Sequence, residues 1–187
     1  MVIWSAARTP IGGLLGDFGG LAAHQLGAVA IKAAVERAGL PGDAVNEVLM
    51  GNCLMAGQGQ APARQAALGA GLPQSAGAVT LSKMCGSGMR AMMFAHDMLQ
   101  AGSAEVIVAG GMESMTNAPH LTFARKGIRY GATPLYDHMA IDGLEDAYDK
   151  GRAMGVFAEE CVAKYQFTRE AQDEFAIAST QRSKKAN

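Results

Sequence analysis

The chain has 187 residues, of which 49% are hydrophobic and 18% are charged. This composition excludes a disordered chain, which would carry fewer apolar residues and a larger net charge. A formal charge of −1 at pH 7 provides no concentrated basic surface and therefore argues against nucleic-acid binding. The apolar runs are interrupted well short of the roughly 20 residues of a membrane span, so we expect no membrane-spanning segment.

The cysteines and the N-terminus bear on the cellular compartment. Cys53, Cys85 and Cys161 are odd in number, widely spaced and without a C-x-x-C pair, which argues against a disulfide scaffold or a zinc site. The first residues lack a basic segment followed by an apolar one, so we expect no secretory signal. Together these features predict a cytoplasmic protein without a metal site.

Residues 1–110 alternate strand-like and helix-like segments. Hydrophobic periodicity and Gly or Pro stop signals predict strands at 1–6, 45–50, 76–82 and 106–109, and helices at 21–38, 61–70 and 88–101. The alternation predicts an α/β fold with a buried sheet. Two helix faces are expected to pack into the core, one formed by Leu26, Val29, Ala30 and Ala33 and the other by Met89, Met92, Met93 and Met98.

The pattern changes after Ser114. Residues 115–150 show little periodicity, and we interpret them as a long excursion over the surface, of a kind that is usually functional or interface-forming. Helices are expected again at 154–165 and from Thr168, an N-cap residue, to about Lys185.

One segment carries a chemical signal. Residues 82–90, Ser-Lys-Met-Cys-Gly-Ser-Gly-Met-Arg, follow a predicted strand and open a predicted helix. A cysteine at such a sharp strand-to-helix turn, here Cys85, has the placement of a nucleophile. Gly86 and Gly88 allow a tight bend and the close approach of a substrate. A structural cysteine is the alternative interpretation.

The helix N-terminus that follows the cysteine favours its ionised form. An ordinary thiol is only about 3% ionised at pH 7, and ionising half of it takes roughly 2 kcal/mol. A helix terminus supplies ~0.3–1 kcal/mol. We therefore expect a base or a cation near the nucleophile as well.

Four motifs in order along the chain resemble those of the thiolases, the acyl-CoA acyltransferases of the acetoacetyl-CoA type. They are Ala-Arg-Thr-Pro-Ile-Gly at 7–12, Met-Cys-Gly-Ser-Gly at 84–88, Gly-Gly-Met-Glu-Ser-Met at 110–115 and Thr-Arg-Glu-Ala-Gln-Asp at 168–173. Because all four occur in the order of the family, the match is specific, whereas a lone Cys-Gly-Ser-Gly would be weak.

The resemblance implies the N-terminal half of the thiolase fold, a mixed sheet between helices, followed by the start of the loop domain. The expected domains are a core domain at 1–118 and a partial loop domain at 119–187, with the C-terminal domain absent. It also implies that Cys85 accepts the acyl group of an acyl-CoA or 3-ketoacyl-CoA as a thioester, in a Claisen or retro-Claisen reaction. Its backbone N–H would contribute to an oxyanion hole, and coenzyme A would be a substrate and product, with no covalently bound cofactor.

The sequence also departs from the family pattern. Family members carry a Gly-His-Pro histidine that activates the nucleophile, an Asn-Glu-Ala segment and a second reactive cysteine. These motifs do not occur in the 187 residues, so we expect the isolated chain to be inactive and to need a complementing C-terminal half. Cys53 and Cys161 lie outside the matching motifs and are interpreted as structural.

Two further expectations concern substrate and partners. Where acetyl-CoA thiolases often have His-Met-Gly, residues 153–155 are Ala-Met-Gly, so Met154 is expected to line the substrate channel without the histidine contact. By the resemblance, the strand before Cys85 pairs with its copy in a second subunit, which implies a homodimer or homotetramer.

Two alternatives to a thiolase remain. One is a ketoacyl-synthase-like condensing enzyme, and the other is a catalytically silent half that acts only by association. The motif at 110–115 favours the thiolase.

Overall fold

A computed structural model describes residues 1–128 and 130–186; Arg129 and Asn187 lie outside the described residues. The helices of the described chain are α1 (Ala23–Ala38), α2 (Pro62–Gly69), α3 (Ser87–Gln100), α4 (Met154–Tyr165) and α5 (Arg169–Ala186). Its strands are β1 (Glu47–Gly51), β2 (Gly77–Leu81), β3 (Ile107–Gly111), β4 (His120–Leu121) and β5 (Tyr136–Asp137).

A parallel sheet in the order β2-β1-β3 organises the first part of the chain. Successive residues of β1 point to opposite faces. Val48 and Met50 pack in one buried cluster with residues of α1 and α2, whereas Leu49 packs in a second with Ala91 and Ala95 of α3. Helices therefore cover both faces of the sheet, and the predicted α/β class is confirmed.

The buried face of α1 differs from the predicted one. Ala23, Gly27 and Ile31 are the buried residues of this helix, whereas Val29 is well exposed. A β-carbon added to Gly27 would lie 2.6 Å from Met112 Sδ and 3.4 Å from Ala66 Cβ of α2. The helix packs so closely at this point that only a small residue fits. Of the predicted face, Leu26, Ala30 and Ala33 are half-buried and Val29 is exposed, because the closest packing of α1 uses its smallest residues and not its largest apolar ones.

The strand predicted at 1–6 is also wrong, because these residues form no strand and their apolar side chains are exposed. They are held beside α1 instead: Ser5 Oγ donates to the Ala34 carbonyl at 2.5 Å, and Arg37 donates to the Ala6 carbonyl at 2.9 Å. A strand requires a hydrogen-bonded neighbour. No described strand pairs with this segment, so its β-branched composition does not suffice.

The methionine stripe on α3 lies on the surface and not in the core. Met89 and Met92 are 65% and 50% exposed, and Met93 is similarly exposed, whereas Met98 packs against the buried cluster around Leu49. The prediction of core packing is therefore wrong for the first three. The buried residues of α3 are small, namely Ser87, Ala91 and Ala95. They allow the helix to lie close to the sheet and leave the side chains of Met89, Met92 and Met93 exposed.

The chain divides into two compact units, Met1–Gly143 and Leu144–Asn187. Residues 119–143 belong to the first unit because β4 pairs antiparallel with β5 and Ala56 N–H donates to His138 Nε2 at 3.3 Å. This division falls later than the domain boundary expected after residue 118. The assignment of 1–118 and 119–187 as core and loop domains stays a prediction.

The second unit contains α4 and α5. Thr168 Oγ1 accepts the Ala171 N–H at 3.2 Å, which confirms the predicted cap of α5. Neither these helices nor the others in the described ranges are long and apolar enough to cross a membrane.

Candidate active site

Cys85 lies exposed in the turn that connects β2 to α3. The turn is sharp because Met84 adopts a left-handed backbone conformation with a φ of 49°. Two backbone hydrogen bonds close it: Gly86 N–H donates to the Lys83 carbonyl at 3.2 Å, and Ser87 N–H donates to the Met84 carbonyl at 2.9 Å. The predicted strand–turn–helix geometry around Cys85 is confirmed.

Glycines allow the first turn of α3 to rest directly on the carboxyl ends of β1 and β3. A β-carbon on Gly51 would lie 2.6 Å from both Gly88 N and Ser87 Cβ. A β-carbon on Gly111 would lie 3.3 Å from Gly88 Cα. The backbones can approach this closely only without side chains, so the glycines place the nucleophile turn at this edge of the sheet.

A buried hydroxyl group ties the turn together. Ser87 is 4% exposed. Its Oγ donates to the Met84 carbonyl at 2.5 Å and accepts the Lys83 N–H at 2.8 Å. Cys53 Sγ lies 3.7 Å from the same oxygen. The hydroxyl therefore links the turn to the loop that follows β1.

Glu113, just after β3, fixes that loop. Its carboxylate accepts the Cys53 N–H at 2.8 Å and the Leu54 N–H at 3.1 Å. It also accepts the side-chain amide of the buried Asn52 at 2.6 Å. Three donors on one carboxylate hold the segment after β1 against the segment after β3, directly beside the nucleophile turn.

Cys53 and Cys85 occupy different environments. Burial raises the pKa of the Cys53 thiol, and the negative charge of the nearby Glu113 acts in the same direction. The Cys53 thiol therefore stays protonated at neutral pH, and a protonated thiol is a poor nucleophile. Cys85 is the exposed thiol of this site.

A cation lies close to the nucleophile turn. A β-carbon on Gly86, the neighbour of Cys85, would be 3.3 Å from Lys83 Nζ. The Lys83 ammonium thus folds back over the turn, where the sequence led us to expect a base or a cation. Across residues 1–128 and 130–186 we find no hydrogen bond to the Cys85 thiol and no group of three or more His, Cys, Asp or Glu side chains arranged for a metal ion.

Met154 is the first residue of α4, in the second unit, and its side chain is half exposed. Cys161 is exposed on the same helix. Their expected roles, in the substrate channel and in the structure respectively, stay predictions.

Sequence reasoning missed the residues that support the turn. In the sequence, Ser87 and Glu113 are visible only as members of the motifs at 84–88 and 110–115. A signal is nevertheless present, because Asn52 and Glu113 come shortly after two of the predicted strands, at 45–50 and 106–109. The carboxyl ends of parallel strands meet at one edge, where ligands bind in such folds.

Comparison with known proteins extends these observations. The family described as "Thiolase, N-terminal domain" matches residues 1–187. The chain is 54% identical to the mitochondrial acetyl-CoA acetyltransferase of Xenopus tropicalis and 50% identical to an acetyl-CoA acetyltransferase of Rhizobium meliloti. Both alignments cover 100% of this chain, but 44% and 47% of the relatives. The chain thus spans about half the length of the curated relatives it matches.

A solved structure shows the same fold. The crystal structure of the Acat5 thiolase from Ascaris suum in complex with coenzyme A superimposes with a TM-score of 0.93 at 40% sequence identity. The match covers 98% of this chain and 48% of that chain. The described fold is therefore that of a part of this solved protein.

Proposed function

We propose, because the chain belongs to the thiolase N-terminal domain family, that it carries the acyl-accepting half of an acyl-CoA acyltransferase. The single observation that carries the proposal is the exposed Cys85 at the sharp turn before α3. Relatives of the chain are named as acetyl-CoA acetyltransferases. Their names point to acetyl-CoA and acetoacetyl-CoA as substrates, with coenzyme A as the second product or substrate.

The proposed chemistry begins at the Cys85 sulfur. The thiolate attacks the carbonyl carbon of the acyl-CoA thioester, the bond from that carbon to the coenzyme A sulfur breaks, and coenzyme A leaves as a thiolate that takes up a proton. A new thioester on Cys85 replaces the old one, so the exchange is close to balanced. During attack the carbonyl oxygen becomes negative, and the Cys85 backbone N–H would stabilise it; one such donor lowers a barrier by about 2.7–4 kcal/mol.

The carbon–carbon bond is made or broken in the second half of the reaction. For condensation, the α-carbon of a second acetyl-CoA attacks the Cys85 thioester, and the cysteine leaves as a thiolate. For thiolysis the same bonds form and break in reverse. This step needs a base at the α-carbon, which we assign to a complementing C-terminal half.

The surface of α3 supports the need for a complementing half. Met89, Met92 and Met93 expose an apolar helix face that begins four residues after the nucleophile. A contiguous apolar patch on a protein surface marks an interaction site. A half that covers this face would lie beside Cys85, where it could supply the missing base.

The remaining parts of the proposal concern the second unit, the oligomer and the compartment. Met154, at the start of α4, would line the acyl channel. The edge strand β2 has a neighbour on one side only within the described sheet, so it would pair with its copy in a homodimer or homotetramer.

A cytoplasmic location is proposed because the three cysteines are free. A relative from Gibberella zeae is named as cytosolic, whereas the one from Xenopus tropicalis is named as mitochondrial.

The experiment measures acetoacetyl-CoA thiolysis by the chain alone and by the chain mixed with the C-terminal half of a relative such as the Rhizobium meliloti enzyme. Activity is expected only in the mixture, together with an acetyl group on Cys85 in a mass spectrum. Cys85→Ala should abolish both signals, and Cys161→Ala, which changes an exposed cysteine in the other unit, should leave both unchanged. Activity that survives Cys85→Ala would overturn the proposal, and a mixture that stays silent would favour a half that acts only by association.

A further inference from the structure

We infer that Ser87 is the positioning residue of the nucleophile turn and that its buried hydroxyl holds Cys85 in its reactive placement. The assignment rests on the proposed function for the identity of the reaction. The contacts that carry it lie within the turn itself and do not depend on which substrate the thiol attacks.

The turn needs an external support. Met84, immediately before the nucleophile, has a φ of 49°, a conformation that costs a residue with a β-carbon about 1–2 kcal/mol. Such a conformation persists only where the surroundings determine it. Its carbonyl accepts both the backbone N–H of Ser87 at 2.9 Å and the hydroxyl of Ser87 at 2.5 Å. Among the described contacts, both hydrogen bonds to the Met84 carbonyl come from Ser87. Ser87 therefore holds the strained residue in place.

The hydrogen-bonding capacity of the Ser87 hydroxyl is completely used. A hydroxyl has one proton and two acceptor sites. The proton goes to the Met84 carbonyl, one acceptor site takes the Lys83 N–H at 2.8 Å, and the other faces Cys53 Sγ at 3.7 Å. Because Ser87 is 4% exposed, water has little access to replace these bonds if the hydroxyl is removed.

These contacts lie on both sides of the nucleophile. Lys83 and Met84 precede Cys85, and Ser87 follows it as the first residue of α3. The hydroxyl thus closes a ring around Cys85 without touching its sulfur, and it keeps the thiol at the helix N-terminus. Opening the ring would release the turn that carries Cys85 to the start of α3, and it would uncover Cys53, whose Sγ lies 3.7 Å from Ser87 Oγ.

The test uses the three cysteines of the chain as reporters. Three proteins are treated with iodoacetamide: wild type, Ser87→Ala and the control Ser75→Ala. The control removes a hydroxyl from an exposed turn. Alkylation of each cysteine is followed by peptide mass spectrometry. In Ser87→Ala we expect alkylation of Cys85 at pH 7 to slow about two- to fivefold relative to Cys161, the size of a helix-terminus effect. We expect Cys53 to be alkylated faster in the same sample.

Ser75→Ala should leave all three rates as in wild type. Ser87→Cys keeps a small side chain in the buried site but replaces the hydroxyl by a weak donor, so the slower alkylation of Cys85 should persist; a role of Ser87 in packing alone would be rescued by this variant. Fragment ions distinguish the added thiol from Cys85. A Cys85 to Cys161 rate ratio that is unchanged in Ser87→Ala would overturn the inference.

A second measurement needs no variant and decides the matter if Ser87→Ala fails to fold. Hydrogen exchange of wild type should show the Lys83 amide protected to a degree similar to the amides of β2, because Ser87 Oγ accepts it. Exchange of that amide at the rate of an unstructured peptide would overturn the inference. Failure of acyl transfer with the expected alkylation pattern would instead reject the proposed function and leave the role of Ser87 in place.

Discussion

Gly51→Ala tests whether the close approach of β1 to α3 builds the nucleophile turn. The new methyl group would lie 2.6 Å from Gly88 N, from Ser87 C and from Ser87 Cβ. Two of these atoms belong to the backbone of the first turn of α3, so a change of side-chain conformation cannot relieve the contact. Either the end of β1 or the start of the helix has to shift.

The expected size follows from overpacking of a buried contact, which costs typically 1–3 kcal/mol. With a urea m-value of about 2 kcal/mol/M for a protein of this kind, the unfolding midpoint should fall by roughly 0.5–1.5 M. The control is Gly20→Ala, where an added β-carbon meets nothing within 4 Å. Surface substitutions of that kind are usually within ±0.5 kcal/mol.

Urea titrations followed by circular dichroism give the two midpoints, and alkylation of Cys85 in the absence of urea reports on the turn itself. Gly51→Ala should lower the midpoint and change the Cys85 rate together, because the helix start that moves carries the turn. If Gly51→Ala matched Gly20→Ala in both measurements, the close approach would not position the nucleophile, and the interpretation of the glycine contacts would have to be abandoned.

Three further predictions concern other contacts. Glu113→Gln replaces one acceptor oxygen by an amide group facing a backbone N–H, so the free energy of unfolding should fall by about 1–3 kcal/mol; Glu105→Gln, at an exposed position, is the control, and equal urea midpoints would contradict the prediction. Burial raises the pKa of Cys53 above its ordinary value of 9.0, so wild type should lose stability relative to Cys53→Ala as the pH rises above 9; a difference that stayed constant from pH 7 to 10.5 would refute this. Thr168→Ala removes the cap of α5 and should lower helix content and stability by about 1 kcal/mol, whereas Thr180→Ala within the same helix should not lower them; equal losses in both variants would argue against a cap.

The succession of helices and strands from α1 to β3 along the chain could be predicted because its signals are local. Gly39 illustrates this: it ends α1 in the left-handed conformation with a φ of 67°, as a glycine after a periodic helix indicates. The turn at Cys85 could be predicted for the same reason, since the strand, the small residues and the helix lie within a few consecutive residues. Each of these predictions needed only the chemistry of a short segment.

The support of the turn could not be predicted in this way because it depends on contacts between distant residues. Glu113 binds the backbone of Cys53 and Leu54 about 60 positions earlier in the chain, and Cys53 contacts Ser87 across 34 positions. Such pairs follow from the strand order β2-β1-β3 and its register. Hydrophobic periodicity specifies neither the strand order nor the register.

The surface of α3 shows a second physical limit of periodicity. The repeat of Met89, Met92 and Met93 indicates that one face of the helix is apolar. A second face, which carries Ala91 and Ala95, is apolar as well. This alanine face lies on the sheet because small side chains permit close packing. The larger side chains are left outside. A face that is apolar and yet excluded from the core of its own unit has the properties of an interface. It follows that replacing Met92 and Met93 by serine should leave the urea midpoint of the isolated chain nearly unchanged but weaken complementation by a C-terminal half; a large drop in the midpoint without loss of complementation would show that the face serves the fold of this chain alone.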